Sequence, residues 1–295
     1  MKFSIVAKFL LLFLIPFLAL AQAKKDITTH QVTEKIYMLE GRGGNIGLCV
    51  GEDGVFMIDS KFKDLSPAIK KAIRSITDKP VKFLINTHLH GDHTGGNENF
   101  ANDEVVVVAH DNVRKRMLLL QSVKGNKKDL FPSKALPVVT FSENINFYFN
   151  NEDIHIFHVN NAHTDGDALV FFKTSNVLHM GDTYFRGKYP YIDVNSGGSV
   201  EGYLNALKAG AAIANDTTKI IPGHNEVSSK KELLAYIQKI TTIVERVKNA
   251  INEGKTEAEV IDDESLSEEF DATMGDRFIK PEFFRRSVYK SLTNQ

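Results

Sequence analysis

One short segment constrains this chain more than any other. Residues 86–97 read Asn-Thr-His-Leu-His-Gly-Asp-His-Thr-Gly-Gly-Asn, so three histidines and one aspartate fall within six positions. The run just before them, Val81 to Ile85, is largely apolar with β-branched residues at both ends, as a buried strand often is. Neutral imidazole nitrogens and carboxylate oxygens are preferred zinc ligands. The segment therefore predicts half of a metal site, with these candidate ligands: His88, His90, Asp92 and His93.

Three further candidate ligands lie in similar settings later in the chain. His163, Asp182 and His224 each follow a short apolar run with the pattern of a strand, and each lies close to a glycine. Loops carried by a rigid scaffold commonly bear active-site residues, and glycine lets the chain turn so that a side chain points into a cleft. We therefore expect these three side chains to meet the histidines of residues 86–97.

Together these side chains are sufficient for two metal sites. Three histidines would form a first site with one open coordination position: His88, His90 and His163. The remaining ligands would form a second site: Asp92, His93 and His224. Asp182 has two carboxylate oxygens and can bridge both ions, and two ions roughly 3.5–4 Å apart form a recurrent hydrolytic arrangement. Asp92 is also the candidate catalytic residue, because a carboxylate at the second ion can orient the nucleophile.

An ordered set of residues resembles the metallo-β-lactamase superfamily: His88-x-His90-x-Asp92-His93, then His163, Asp182 and His224. The resemblance covers roughly Ile36 to Glu226. It implies an αββα sandwich that binds two zinc ions in a shallow groove. It also implies that Asp59, at the end of an early strand, orients the ligand loop from behind.

The order of predicted elements agrees with that fold class. Short strands, a helix (Leu65 to Ile76), a further strand and a helix occupy the first half of the chain. The second half repeats this order and includes a long helical pattern from Ser228 to Asn252. Two sheets face to face, with helices on both outer faces, form an α+β, four-layer αββα sandwich. We predict a single domain of this kind over residues 24–295.

The N-terminus has the features of a signal peptide. Lys2 and Lys8 accompany an apolar run from Phe9 to Leu20, and small-x-small patterns occur at residues 19–23. The apolar run is shorter than the ~20 residues needed to cross a bilayer. We predict a signal peptide over residues 1–23 that is cleaved before Gln22 or Lys24, a periplasmic or secreted protein, and no stable membrane insertion after cleavage.

Charge and cysteine content narrow the possible partners. The net charge of −1 does not suggest electrostatic binding of nucleic acid. Cys49 is the only cysteine, so no intrachain disulfide can form, and its apolar neighbours predict a buried thiol. We expect a small-molecule substrate and no nucleic-acid partner, while the oligomeric state stays open.

Asp182 shifts the predicted substrate away from β-lactams. The β-lactamases of the superfamily usually have cysteine or serine at this place, whereas aspartate resembles its lactonase, thioesterase and phosphodiesterase branches. We predict an exported dinuclear-zinc hydrolase that uses a metal-bridged hydroxide to cleave an ester-, lactone- or amide-type bond; manganese or iron can replace zinc. β-Lactam hydrolysis is one alternative. A mononuclear iron sulfur dioxygenase is another, and by resemblance His88, His163 and Asp182 would bind its iron. A non-catalytic metal-binding protein is a third alternative.

Two segments near the ligands are candidate substrate contacts. The residues after Asp182 are rich in tyrosines and cations that can contact an anionic, partly apolar substrate: Tyr184, Arg186, Lys188, Tyr189 and Tyr191. The glycine-rich residues 42–45 are a candidate flap over the groove.

Overall fold

The computed structural model describes residues 27–123 and 132–293, and two β-sheets form the centre of this part of the chain. The predicted signal peptide, residues 1–23, lies outside the described residues. Within the described ranges, no helix combines the length and the apolar character that crossing a membrane requires.

The first sheet has seven strands in the order in which they occur in the chain. They are β1 (Thr28–Gln31), β2 (Ile36–Glu40), β3 (Ile46–Gly51), β4 (Gly54–Ile58), β5 (Val81–Asn86), β6 (Val106–His110) and β7 (Val139–Phe141). Strands β1 to β4 pair antiparallel, and β4 to β7 pair parallel. Parallel neighbours need crossover connections, which contain the following helices: α1 (Ser66–Ile76), α2 (Gly91–Thr94), α3 (Asn97–Ala101) and α4 (Asp111–Val123).

The second sheet has six strands in the order β13-β12-β11-β10-β9-β8. They are β8 (Asn144–Phe149), β9 (Glu152–His158), β10 (Ala168–Phe172), β11 (Val177–Phe185), β12 (Lys219–His224) and β13 (Ser228–Ser229). The β11–β12 pair is parallel, and the other pairs are antiparallel. The helices of this half are α5 (Val200–Ile213), α6 (Lys230–Asn252), α7 (Glu257–Asp262), α8 (Glu268–Met274) and α9 (Pro281–Thr293).

An apolar core joins the two sheets face to face. The ring of Phe56 on β4 packs against Phe147 and Phe172 of the second sheet, with ring centroids 5.2 and 6.3 Å away. Ile85 of β5 and Ile156 of β9 are buried in the same core. Removal of this apolar surface from water stabilises the contact between the sheets.

Helices cover the outer face of each sheet. The apolar face of α1 buries Ile69 against the first sheet. On the second sheet, α5 and α6 bury Leu207 and Ile240. The α6 helix begins at a capping box in which Ser229 and Glu232 bond each other's backbone amides. The layers are therefore helix, sheet, sheet and helix, and the predicted α+β, four-layer αββα sandwich is confirmed.

The C-terminal helices pack on the helices of the second half. Phe284 and Val288 of α9 are buried in the core that α5 and α6 share. The buried Arg285 donates hydrogen bonds to the carbonyl of Ile261 and to Ser267 Oγ, which ties α9 to the segments around α7 and α8. This packing fixes the position of α9 beside the loop that follows β11.

Candidate metal centre

The first four candidate ligands lie where β5 ends and the chain turns into α2. His90 is the N-cap of α2, and Asp92 and His93 lie within this single turn. The turn packs against the loop after β4: the Ser60 amide donates to the carbonyl of His93 at 2.7 Å. Just after the turn, a β-carbon at Gly96 would collide with the carbonyl of Ser60. Thr94 Oγ1 donates to the carbonyl of His90 at 3.0 Å. The short helix therefore holds the ligand loop in one conformation.

The structure brings the three predicted first-site histidines together with Asp182, the predicted bridging ligand. Their ligand atoms all lie within 4.8 Å of one another: His88, His90, His163 and Asp182. His163 Nε2 lies 2.9 Å from His90 Nδ1. Asp182 Oδ2 lies 3.8 Å from His88 Nε2 and 3.6 Å from His163 Nε2.

The predicted second-site residues form an adjacent group. Their ligand atoms also lie within 4.8 Å of one another: Asp92, His93 and His224. The other oxygen of Asp182, Oδ1, lies 3.1 Å from His93 Nε2 and 3.4 Å from His224 Nε2. Asp182 therefore faces one group with each of its two oxygens, as a bridging ligand would.

Several of these atoms have no hydrogen-bond partner among the described residues. His88 Nε2, His93 Nε2 and Asp182 Oδ1 are buried in this state. Leaving such an atom unsatisfied costs roughly 1–3 kcal/mol, so three of them in one cluster favour an external partner. Imidazole nitrogens with carboxylate oxygens suit zinc, manganese or iron. The cluster is thus a candidate divalent-metal site, and the donor set fits such ions.

The ionisation of the cluster also favours a cation. Burial lowers the pKa of His88 well below its ordinary value, and the neighbouring imidazoles of His93 and His163 lower it further. Burial likewise lowers the pKa of His163 to about 4. Burial opposes the charged form of Asp182, but His93 and His224 outweigh it and hold the pKa of this carboxyl well below its ordinary value. Neutral imidazoles beside an ionised carboxylate are the protonation states that bind metal.

His93 is the exception among these imidazoles. Burial opposes its protonation, but the carboxylates of Asp182, Asp92 and Asp59 raise its pKa well above the ordinary value. A cation at this place is therefore stabilised by surrounding negative charge. The same field would favour a divalent ion over the proton on Nε2.

Carboxylates contact two of the histidines on the side away from the cluster. Asp59 Oδ2 lies 2.7 Å from His93 Nδ1, and Asp59 also accepts hydrogen bonds from the Thr87 amide and hydroxyl. This is the contact that the predicted orienting role of Asp59 requires. Asp193 Oδ2 lies 3.0 Å from His90 Nε2, which leaves His90 Nδ1 facing the cluster. Sequence reasoning missed Asp193.

The residues after Asp182 differ from the prediction. Tyr184 and Tyr189 are buried in the core of the second half. Their hydroxyls contact Ser228 Oγ at 2.8 Å and Asp271 Oδ1 at 2.5 Å. The prediction that these two tyrosines line the groove is wrong, because their rings and hydroxyls are already enclosed by the protein.

The two predicted cations of this segment already have anionic partners. Arg186 bonds Glu226 and Glu232 at 2.8 and 2.6 Å. Lys188 bonds Asp276 at 2.6 Å. Their contact with a substrate stays a prediction, and any anionic substrate would have to compete with these carboxylates.

Residues 42–45 do not form a flap. Asn45 is buried, and its amide donates to the carbonyl of Gly223 at 2.6 Å. Arg42 bonds Asp64 at 2.6 Å and lies over the ring of Phe62. The predicted flap is wrong, because this loop is packed against the ligand segments on both sides.

Aromatic side chains border the open part of the cluster. Tyr191 belongs to the segment after Asp182 that was expected to line the groove, whereas sequence reasoning missed Phe185 and Phe283. Phe185 stacks on His224 with ring centroids 5.2 Å apart. The ring of Tyr191 lies 5.8 Å from those of His90 and His163, and Phe283 of α9 lies 6.4 Å from Tyr191. No sequence pattern links residue 283 to the ligands, because only the packing of the C-terminal helices brings it here.

Known proteins are similar to this chain in sequence and in structure. At 28% identity over 166 residues the chain matches the 2,4-dinitroanisole O-demethylase subunit alpha of Nocardioides sp. (strain JS1661). The aligned region covers 55% of this chain and 48% of that protein. At 26% identity over 144 residues it matches the hydroxyacylglutathione hydrolase of Pelagibacter ubique (strain HTCC1062), with coverage of 46% and 53%. The chain thus spans about half the length of the curated relatives it matches.

Solved structures share the fold. The stereoselective inverting sec-alkylsulfatase Pisa1 from Pseudomonas sp. superposes with a TM-score of 0.74 at 15% identity, covering 90% of this chain and 50% of that one. A metallo-β-lactamase from Pontibacter korlensis gives a TM-score of 0.61 at 17% identity, covering 73% and 99%. The family model described as "Metallo-beta-lactamase superfamily" matches residues 39–224, which include all seven candidate ligands. With more than half of its length matched and the ligand groups assembled in order, the chain belongs to the metallo-β-lactamase superfamily.

Proposed function

We propose that this protein is an exported, dinuclear-zinc hydrolase that cleaves an ester-, lactone- or amide-type bond of a small substrate. The observation that carries the proposal is the position of Asp182, whose two oxygens face two separate ligand groups. The hydrolase names of relatives, the hydroxyacylglutathione hydrolase and the alkylsulfatase, support hydrolysis as the reaction type. Export rests on the predicted signal peptide of residues 1–23.

The ligand residues would divide between the ions as predicted. His88, His90 and His163 would bind the first ion, Asp92, His93 and His224 the second, and Asp182 both. Bound divalent ions would supply a water of lowered pKa and polarise the bond to be cleaved. The protein supplies the fixed geometry, through Asp59 behind His93 and Asp193 behind His90.

Substrate would approach from the side on which the ligands are accessible. His90, Asp92 and His224 are 21%, 22% and 28% exposed at their side chains, whereas His88 and His163 are 0% exposed. Asp92 lies on this open side, where its carboxylate can accept a hydrogen bond from the attacking water and orient it. The aromatic rings of Phe185 and Tyr191 border the same side and would contact an apolar part of the substrate.

Metal content and a substrate panel test the proposal. We expect two zinc ions per chain and metal-dependent hydrolysis of at least one lactone, thioester, sulfate ester or phosphodiester, with β-lactams turned over more slowly. His90→Ala should abolish turnover, whereas His155→Ala, a histidine on β9 that contacts Asn146, should not. One iron per chain together with sulfur oxygenation would favour the dioxygenase alternative over the hydrolase proposal. Wild-type turnover by His90→Ala would contradict the hydrolase proposal.

A further inference from the structure

Lys61 is a buried cation that the proposed reaction does not use. It lies in the loop that follows β4, and its side chain is fully enclosed. Its ammonium group donates to the carbonyl of Gly44 and lies 3.5 Å from the carbonyl of Gly43. Burying an ammonium group is unfavourable unless it is well hydrogen-bonded. The buried charge of Lys61 is therefore hydrogen-bonded only while the 42–45 loop keeps its carbonyls in this position.

The 42–45 loop contacts the second-site ligands of the first half of the chain. The Gly44 amide donates to the carbonyl of Asp92 at 3.3 Å. The backbone at Gly44 lies so close to His93 that a β-carbon there would overlap the imidazole ring. The loop therefore lies directly against two ligands of the second site.

The same loop also contacts the ligand segment of the second half. The Asn45 amide donates to the carbonyl of Gly223, and its side-chain amide donates to the carbonyls of Pro222 and Asn225 at 3.0 and 2.6 Å. These bonds lie on both sides of His224. The loop thus joins the Asp92–His93 turn to the His224 segment, which belongs to the other sheet.

From these contacts we infer that Lys61 is a positioning residue that holds the 42–45 loop and thereby aligns His224 with Asp92 and His93. The inference rests on the proposed metal centre. The first-site histidines are supported by other partners, namely Thr87 for His88, Asp193 for His90 and the carbonyl of Tyr191 for His163. Loss of Lys61 should therefore weaken the second site and leave the first site intact.

Lys61→Met tests this by removing the charge while keeping most of the length of the side chain. The two glycine carbonyls would lose their ammonium donor, and the loop should open more often. We expect the second zinc ion to bind about 10–100-fold more weakly, the range typical for loss of an outer-shell partner, while the first ion binds as in the wild type. Competition with a chromophoric chelator measures both affinities. The control is Lys63→Met, because Lys63 is 65% exposed and pairs with Glu98.

Amide hydrogen exchange of the metal-free protein provides a readout that is independent of metal and activity. We expect the amides of Gly44 and Asn45 to exchange at least tenfold faster in Lys61→Met than in the wild type or Lys63→Met. Asn45→Ala, which removes the side-chain bonds to Pro222 and Asn225, should cause the same selective loss of the second ion, so the inference stays testable if Lys61→Met does not fold.

The outcomes separate the two proposals. The role of Lys61 would be overturned if Lys61→Met bound both ions with wild-type affinity and showed unchanged amide exchange. If Lys61→Met fails to fold, unchanged second-ion affinity in Asn45→Ala would overturn it instead. Either result would leave the hydrolase proposal standing. A wild-type protein that binds no second ion would contradict the dinuclear proposal. In that case faster exchange at Gly44 and Asn45 would still support the role of Lys61 in holding the loop, and unchanged exchange would refute it.

Discussion

Two carboxylate–histidine pairs support the candidate metal centre, and they differ in their surroundings. The Asp59–His93 pair is completely buried, and Asp59 accepts two further hydrogen bonds from Thr87. The Asp193–His90 pair is partly exposed, with 11% and 21% of the two side chains accessible. The first pair is part of the folded core, whereas the second lies on the side from which substrate would approach.

The loop that carries Asp193 supports two ligands at once. The carbonyl of Tyr191 lies 2.6 Å from His163 Nδ1, and the Asp193 amide donates to the carbonyl of His163. Asp193 also accepts a bond from the Ser196 amide. The comparison therefore predicts that damage at Asp59 mainly affects folding and the second ion, while damage at Asp193 mainly affects the first ion and turnover.

The largest effect is expected for Asp59→Ala. The substitution leaves three buried groups without an acceptor, the amide and hydroxyl of Thr87 and His93 Nδ1. At roughly 1–3 kcal/mol for each unsatisfied group, we expect the free energy of unfolding of the metal-free protein to fall by about 3 kcal/mol or more. Urea unfolding measures this change. Asp78→Ala, at an exposed aspartate, is the control and should stay within about 0.5 kcal/mol of the wild type; an equally stable Asp59→Ala protein would show that the buried pair is not structural.

A smaller effect on stability, with a clear effect on metal binding, is expected for Asp193→Asn. The amide can still accept from Ser196, but its NH₂ group would face His90 Nε2 and favour the wrong tautomer. We expect first-ion affinity or kcat to fall roughly 10–100-fold and the unfolding free energy to change by less than about 1 kcal/mol.

Asp165→Asn is the matched control, since Asp165 lies nearby and pairs with Arg116 at 2.7 Å. The comparison between the two pairs would break down if Asp193→Asn destabilised the protein as much as Asp59→Ala does. It would also break down if Asp193→Asn left both metal binding and kcat unchanged.

The sequence was informative where a residue follows an apolar run. His163, Asp182 and His224 could be placed near residues 86–97 because each comes at or beyond the end of a strand pattern, and strand ends of a layered fold meet at common edges. The order of strands and helices in the sequence was sufficient to predict the four-layer arrangement. Asp59 could be assigned only through the family resemblance.

Other parts of the site depend on packing that a single sequence does not reveal. Asp193 has the local pattern of a helix N-cap, and its contact with His90 spans 103 positions in the chain. Tyr184 looked like a groove residue because it follows Asp182 closely, yet its neighbours enclose it. A glycine-rich loop such as residues 42–45 has the same composition whether it is open or bonded to its surroundings, so its contacts with Gly223 and Pro222 could not be foreseen.

The smallest effect is expected for Phe283→Ala, which tests whether the side of the Asp193–His90 pair is also the substrate side. Phe283 is 42% exposed and lies next to Tyr191, which precedes Asp193 by two residues in the chain. Since an aromatic contact contributes about 0.5–1.5 kcal/mol, we expect KM for a naphthyl ester to rise roughly 2–10-fold while kcat, zinc content and KM for a methyl ester stay unchanged. Tyr148→Ala, at an 81% exposed aromatic residue on β8, is the control and should alter neither KM. A fall in zinc content in Phe283→Ala would instead show that this ring supports the Tyr191–Asp193 loop, because His90 and His163 both depend on that loop for their orientation.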